Sequence, residues 1–393
     1  MDVVIVFIFL LFVNAIFLNK ITAYYPILSL KLLSNLFYYH LIFFGIYYAT
    51  TIFSRSDSLE YYRKASEIGA YFDIFSETGT SFIDNFAAIF VQFGLSYESL
   101  MLLFSYFGYI GFVFAYLFFR ENIPVNVTVF KKYDLLQLLL FLPNMHFWTA
   151  SLGKGSLIFM GLMIFAFSIK KPGERVFFLV VGAFFIYMIR PPVMIFILAG
   201  FVIGLLTGRE KLGVPFRIIL VTASFLFLAY TQDSIYAVLG LDSSSDSILS
   251  DFTDYANAQS DRLETSNSGV AMQSYSLPVK LFTFWFRPLF VDSPSILGIF
   301  SSAENLVYLL LFYKLVDKRF ISFIRKAPYM VKMSAITFFS ASYSMTFILT
   351  NLGIIMRQKT MIMYFGLFVV YYFLAEEKYN KMQQQKPTKP LTP

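Results

Sequence analysis

Long apolar runs alternate with short polar segments along almost the whole chain. The runs lie at 3–18, 33–53, 99–119, 135–150, 155–169, 176–189, 193–207, 216–230, 296–315, 333–350 and 360–375. A helix needs roughly 20 mainly apolar residues to cross the hydrocarbon of a bilayer, so the pattern predicts an all-α, polytopic membrane protein with about 11 transmembrane helices. Runs 155–169 and 193–207 are short for a full crossing, and must borrow their flanks or lie in a thinned or protein-lined region. Two longer polar segments, 54–98 and 231–295, read as outer loops within a single transmembrane domain covering 1–375. The closing "EEKYNKMQQQKPTKPLTP", residues 376–393, reads as a disordered cytoplasmic tail. Asp2 stands where a signal peptide would carry basic residues, so the first run is expected to be retained.

Composition strengthens this picture and narrows the chemistry. Hydrophobic residues make up 58% of the chain and charged residues only 14%, with a mean hydropathy of +0.67, so no separate soluble catalytic domain is expected. The absence of cysteine removes thiolate nucleophiles and cysteine-held metal centres, and two histidines make a His-rich metal site improbable. No metal or cofactor is expected. The net charge of +7 is read as a topology signal, and no nucleic-acid partner is expected.

Placing the N-terminus outside puts 19–32, 120–134, 170–175, 208–217, 314–332 and the tail in the cytoplasm. These segments hold 21 of the 31 lysines and arginines but 7 of the 24 acids, as the positive-inside rule requires. Six cations break the pattern at the outer ends of spans: Arg55, Lys154, Arg190, Arg287, Arg357 and Lys359. Most sit beside residues that break helices, namely Gly153 and Gly155, Pro191 and Pro192, Pro288, and Gly353. Irregular backbone at membrane depth is tolerated where it is buried in protein or lines an aqueous cavity. Cations at such breaks point to outward-facing broken or re-entrant segments around an anionic occupant. Snorkelling to headgroups is the plain alternative for any one of them, and is the reading adopted for Arg63 and Lys64.

The stretch "FWTASLGKGSLIF" around Lys154 lacks the first glycine of a nucleotide phosphate loop, since Trp148 occupies that place, and it falls on the outer side. A nucleotide-driven pump is thereby excluded. What remains is a Gly-Lys-Gly turn leading into a helix N-terminus, a corner suited to phosphate. On the same side Asp57 and Glu60 share one face if their segment is helical. Either could serve as a base or pair locally with Arg55 or Lys64. His146 is a candidate base or hydroxyl-orienting group, whereas His40 reads as an interior residue. Glu304, an acid within a span, is expected to pair with one of the outer arginines. Tyr255, Tyr275 and Trp285 flank the Ser- and Asp-rich loop 231–277 and would suit carbohydrate contacts, although interfacial aromatics are the commoner cause.

The segments "LPNMHFWTASLGKGSLIFMGL", "MIRPP", "FWFRPLF" with "SAENLVYLLL", and "NLGIIMRQKTMIMYF" together resemble bacterial polysaccharide-assembly membrane proteins of the O-antigen polymerase (Wzy-like) and EpsG-like groups, over roughly residues 50 to 370. Asp57, Lys154, Arg190, Arg287 and Arg357 match the pattern of those groups, while Gly155 stands where an acidic residue is usual. The resemblance implies a membrane glycosyltransferase of the bacterial inner membrane that joins undecaprenyl-diphosphate-linked oligosaccharides at the outer face. Lys154, Arg190, Arg287 and Arg357 would bind the diphosphate, and Asp57 or His146 would act on the acceptor hydroxyl. Arg55, Glu60 and Glu304 would support the site. Partners implied are the lipid-linked oligosaccharide, a flippase and a chain-length regulator. An O-antigen ligase shares these features and stays open as the alternative. A transporter of the lipid-linked glycan is disfavoured because the exceptional cations gather on one side.

Overall fold

The computed structural model describes residues 2–75, 77–209, 213–239, 248–264, 269–292 and 296–385. Among the described residues the structure is helical apart from one small hairpin and an isolated bridge between Gly269 and Asn351. In order come α1 (Asp2–Tyr24), α2 (Leu30–Phe53), α3 (Asp57–Ile68), α4 (Thr80–Gln92), α5 (Tyr97–Asn122), the antiparallel pair β1 (Thr128–Val129) and β2 (Tyr133–Asp134), α6 (Leu135–Leu140) and α7 (Pro143–Thr149). Then follow α8 (Lys154–Ile169), α9 (Val176–Ile189), α10 (Pro191–Thr207), α11 (Val214–Leu239), α12 (Ile248–Glu264), α13 (Leu277–Phe286), α14 (Ile296–Phe312), α15 (Lys318–Lys326), α16 (Tyr329–Ile348) and α17 (Leu352–Gln384).

Local chemistry sets many of these starts. Ser29, Ser56, Ser96, Asp134, Asp317 and Asn351 each turn a side-chain oxygen onto a backbone N–H of the first helical turn, satisfying donors that the helix itself leaves open. Pro143 and Pro191 occupy the first position of α7 and α10, where a missing N–H costs nothing. Asp2 accepts from Ser96 N at 2.8 Å and Ser99 Oγ at 2.7 Å, tying the starts of α1 and α5 together.

Among the described residues, α1, α2, α5 and α17 are long and apolar enough to cross a membrane, and α14 with α15 would make a fifth span bent by 82°. The protein is therefore a membrane protein. Its apolar helices α8, α9, α10 and α13 are shorter than a full crossing. The buried centre is built on α5 and α17, whose most apolar stretches are each 83% buried, against 17% in α1 and 28% in α2. Around that pair, α8 packs on α5 and α9, and α16 packs on α10 and α17. The exposed apolar side chains of α1, among them Ile5, Ile8, Phe9 and Phe12, form a surface suited to lipid.

Contacts between distant segments tie the loops at each end. At one end Arg175 forks onto Glu121 at 2.7 and 2.8 Å, Arg319 meets Glu377 at 2.6 Å, and Lys378 donates to Asn126 O. At the other, the start of α4 meets the end of α9, with Gly79 N donating to Met188 O at 2.7 Å. Glu121, Asn126, Arg175, Arg319, Glu377 and Lys378 of the first set all belong to segments expected on the cytoplasmic side.

Three sequence expectations change. Run 135–150 is two short helices, because Pro143 cannot supply the N–H that would continue α6. Segment 54–98, expected as an outer loop, holds two helices, α3 and α4, packed on each other. Residues 376–384 continue α17, since Glu, Lys, Met and Gln are good helix formers and the helix is already nucleated; residues 386–393 of the expected tail lie outside the described residues. So do 240–247 and 265–268 of the Ser- and Asp-rich loop, whose centre forms α12.

Candidate functional site

Three of the four expected diphosphate-binding cations converge. Lys154 opens α8, Arg190 sits at the break between α9 and α10, and Arg357 lies in the second turn of α17. Each is within electrostatic reach of the other two. Lys154 Nζ donates to Thr80 Oγ1 at 2.8 Å and Arg190 Nη1 to Gln358 Oε1 at 3.2 Å, while Arg190 Nε is buried with no partner. Neither Lys154 nor Arg190 has an ion pair among the described residues. Arg357 pairs with Asp57 Oδ2 and lies over the Trp148 ring at 5.9 Å.

The two glycines around Lys154 are required by packing. Gly153 has a φ of +149°, a conformation that side chains disfavour, and a Cβ there would also press on the Tyr61 ring at 3.1 Å. A Cβ on Gly155 would collide with the Trp148 carbonyl oxygen. The turn thus lets α8 begin directly beneath α3 and α7.

Beside the cations lies a cavity of about 930 Å³. Its walls are mostly apolar, with Ile42, Phe43 and Ile46 of α2, Phe147 and Trp148 of α7, and Phe300 of α14. Its charged groups are Arg55, Asp57 and Arg357, and Thr50, Ser54, Ser56, Asn144 and Ser301 add polar lining. The arrangement can take an amphiphile, with its anionic head at Arg357 and its chain along α2.

The carboxylates divide sharply. Asp57, the first residue of α3, is exposed and committed to Arg357, not to Arg55 or Lys64. Glu60 does share its helix, but Arg63 holds it through two hydrogen bonds and keeps it below the usual carboxylate range. Glu304 is buried and accepts from Asn144 N at 2.6 Å and from the Tyr308 hydroxyl, so the expected arginine partner is replaced by α7 and its own helix. Glu304 is within electrostatic reach of Lys359, whose ammonium donates to Trp285 O, Arg287 O and Asn305 Oδ1 and thereby holds the end of α13.

Arg287 does not join the cluster. Its side chain forks onto Asp292 at 2.6 and 3.0 Å, a closed pair that raises the guanidinium and holds the Asp292 carboxyl below its ordinary range. Nor does His146 reach the cavity: it is fully buried, stacked on Phe112 at 3.9 Å, with Nδ1 facing His40 Nδ1 at 2.9 Å and Nε2 facing Leu140 O at 2.8 Å. Both ring nitrogens are occupied, so His146 is a packing residue, as is His40. Trp285 is half-buried, stacked on Phe312 and Phe338 with its N–H on Ser342 Oγ, so its ring is taken up by packing.

Sequence reasoning missed Tyr61, Thr80 and Asp84. Tyr61 is buried among Asp57, Asp84, Arg190 and Arg357, and burial pushes its hydroxyl up. Asp84 is buried on α4, and burial pushes its carboxyl up to about 6. The signal available was the spacing of Thr80 and Asp84, four residues apart in an amphipathic stretch. Compared with protein-family models, with curated proteins and with solved structures, the chain matches none.

Proposed function

We propose that the protein is a membrane glycosyltransferase that joins oligosaccharide units carried on undecaprenyl diphosphate, at the outer face of a bacterial inner membrane. The observation that carries the reading is one juxtaposition: a mostly apolar cavity ending at Arg357, which adjoins two further cations without ion pairs among the described residues. Buried charge without a counter-charge is costly, and a diphosphate on a polyisoprenyl chain supplies the counter-charge and fills the apolar cavity. The displacement needs no covalent step on the protein. Lys154, Arg190 and Arg357 stabilise the charge that grows on the leaving diphosphate, the largest single kind of contribution to such chemistry. Arg55, beside Arg357 at the mouth, supports the head.

The reading places the N-terminus outside and the end of α17 in the cytoplasm, in keeping with the basic loops gathered at the far end. On this reading α6 with α7, α8, α9, α10, α11 and α16 join α1, α2, α5, α14 and α17 as about 11 segments at membrane depth, with the breaks at Gly153 and Arg190 facing outward. A flippase would deliver the lipid-linked unit, and a chain-length regulator would act on the product.

The test is a gel profile of surface glycan and lipid-linked intermediates from cells lacking the protein, with and without complementation. Loss of the long-chain ladder with accumulation of single lipid-linked units is the expected result. Accumulation of full-length glycan on the lipid would instead make the protein a ligase, and an unchanged profile would remove the proposal.

A further inference from the structure

With His146 enclosed, the site lacks an obvious proton acceptor, and the carboxylates around it can be compared by what they are already bound to. Asp57 faces Arg357, Glu60 faces Arg63, and Glu304 is held by Asn144 and Tyr308. Asp84 differs from all three. It is 6% exposed, its Oδ1 is buried with no hydrogen-bond partner, and its Oδ2 lies 3.9 Å from Lys64 Nζ, too far for a hydrogen bond. Buried polar atoms are seldom left without partners, and each exception calls for a reason.

The position of Asp84 supplies one. It stands one helical turn after Thr80, on the same face of α4, and Thr80 Oγ1 accepts the hydrogen bond of Lys154 Nζ. Asp84 is within electrostatic reach of Lys154 and of Tyr61, and Tyr61 is in reach of Arg190 and Arg357. The carboxylate therefore lies within electrostatic reach of Lys154, which is itself in reach of Arg190 and Arg357, and it forms no ion pair with any of the three among the described residues.

We propose that Asp84 is the general base of the transfer, taking the proton of the acceptor sugar hydroxyl. This rests on the function proposed above. As the acceptor oxygen bonds to the anomeric carbon of the donor sugar, the bond from that carbon to the diphosphate oxygen breaks. Its electron pair leaves on the diphosphate, held by Lys154, Arg190 and Arg357, and the acceptor proton ends on Asp84. A base is most effective when its pKa lies near the working pH, and a carboxyl near 6 is ionised at neutral pH yet more basic than an exposed one. The charged and titratable groups facing it are Glu60, Tyr61 and Lys64 from α3 and Lys154 from α8. From α5 and α9, which also pack on α4, come the phenylalanine rings Phe104, Phe184 and Phe185.

The test compares wild type, Asp84→Asn and Asp84→Glu, each as the full chain in membrane vesicles from the source cells. The endogenous lipid-linked oligosaccharide there is both donor and acceptor. Asp84→Asn is expected to slow ladder synthesis on the order of 10²–10⁴-fold, and Asp84→Glu to restore part of the rate. The wild-type rate should fall on the acid side with a midpoint near pH 6. Purified Asp84→Asn should still be stabilised against heat by undecaprenyl diphosphate.

Thermal unfolding separates this role from a structural one. A carboxyl whose folded pKa is raised costs stability when ionised, a cost absent at low pH and full above about 6. Asp84→Asn should therefore melt no lower than wild type at pH 7.5. If Asp84 were simply the counter-ion of Lys64, the variant would melt lower and keep its rate per folded molecule, which would overturn the proposal. Ladder synthesis by Asp84→Asn at the wild-type rate would overturn it as well, while leaving the glycosyltransferase reading standing. Should Asp84→Asn not accumulate, the wild-type pH profile decides, and a rate flat from pH 5 to 8 would refute the base. Wild type that neither gains stability from undecaprenyl diphosphate nor alters the ladder of deletion cells would remove the reading on which the proposal depends.

Discussion

Replacing Arg357 by alanine separates chemistry from folding, because the two costs can be sized independently. The Arg357 side chain is 27% exposed and Asp57, its partner, 60% exposed. An ion pair this open contributes only ~0.2–1 kcal/mol. The contact over Trp148, at 5.9 Å, adds about 0.5–1 kcal/mol. Together the folding cost is about 1–2 kcal/mol, against roughly 5–15 kcal/mol for a typical domain. The variant should therefore remain inserted and folded. Loss of one preorganised contact to a developing oxyanion costs about 2.7–4 kcal/mol, or 10²–10³ in rate. The assay is ladder synthesis in membrane vesicles, normalised to folded protein by size-exclusion profile. Arg357→Ala should lose at least 10²-fold per folded molecule, and Arg357→Lys should be impaired too, since an ammonium cannot reproduce a planar two-point contact. A loss below about tenfold, or one that merely tracks the amount of folded protein, would refute a transition-state role for Arg357.

Other residues should behave differently. His146→Leu removes a packing and hydrogen-bonding residue and should cost about 1–3 kcal/mol in thermal or denaturant unfolding, with glycan transfer per folded molecule unchanged. Asp292→Asn breaks the closed pair with Arg287: because the folded carboxyl is held low, the pair stabilises above the ordinary carboxylate range and that contribution fades as pH falls. The variant should melt lower than wild type at pH 7, and the two should converge on acidification. Gly155→Ala forces a side chain into the Trp148 carbonyl and should reduce the yield of folded protein, as measured by size-exclusion chromatography in detergent, in Lys154-containing and Lys154→Ala backgrounds alike.

How far the sequence could be read depended on the range of the interaction concerned. Helix ends at Arg190, Lys154 and Arg287 were legible because proline and glycine act on the backbone locally. The split of 135–150 at Pro143 obeys the same rule, and was obscured by apolar residues running on both sides of the proline. The meeting of Lys154, Arg190 and Arg357 could be anticipated from their shared outer position. The departure of Arg287 could not, since its partner Asp292 lies beyond a turn and competes with the cluster through geometry that a linear pattern does not hold. Glu304 and Lys359 show the same limit: one buried acid accepts from a backbone amide 160 residues away, and one buried lysine is held by backbone carbonyls. Asp84 escaped notice because a single acid in an outer loop looks like any solvated charge until α3 and α4 close over it.

The proposed function requires that the cationic corner bind a lipid diphosphate. Thermal unfolding of the purified protein should be titrated with undecaprenyl diphosphate and, in parallel, with uncharged undecaprenol, for wild type and for Arg190→Ala with Arg357→Ala combined. A ligand at 100 times its Kd stabilises the folded state by about 2.7 kcal/mol. A clear rise in Tm is expected with the diphosphate, little with the alcohol, and loss of the difference in the double variant. Equal shifts with both lipids, or a diphosphate shift that survives in the double variant, would contradict it.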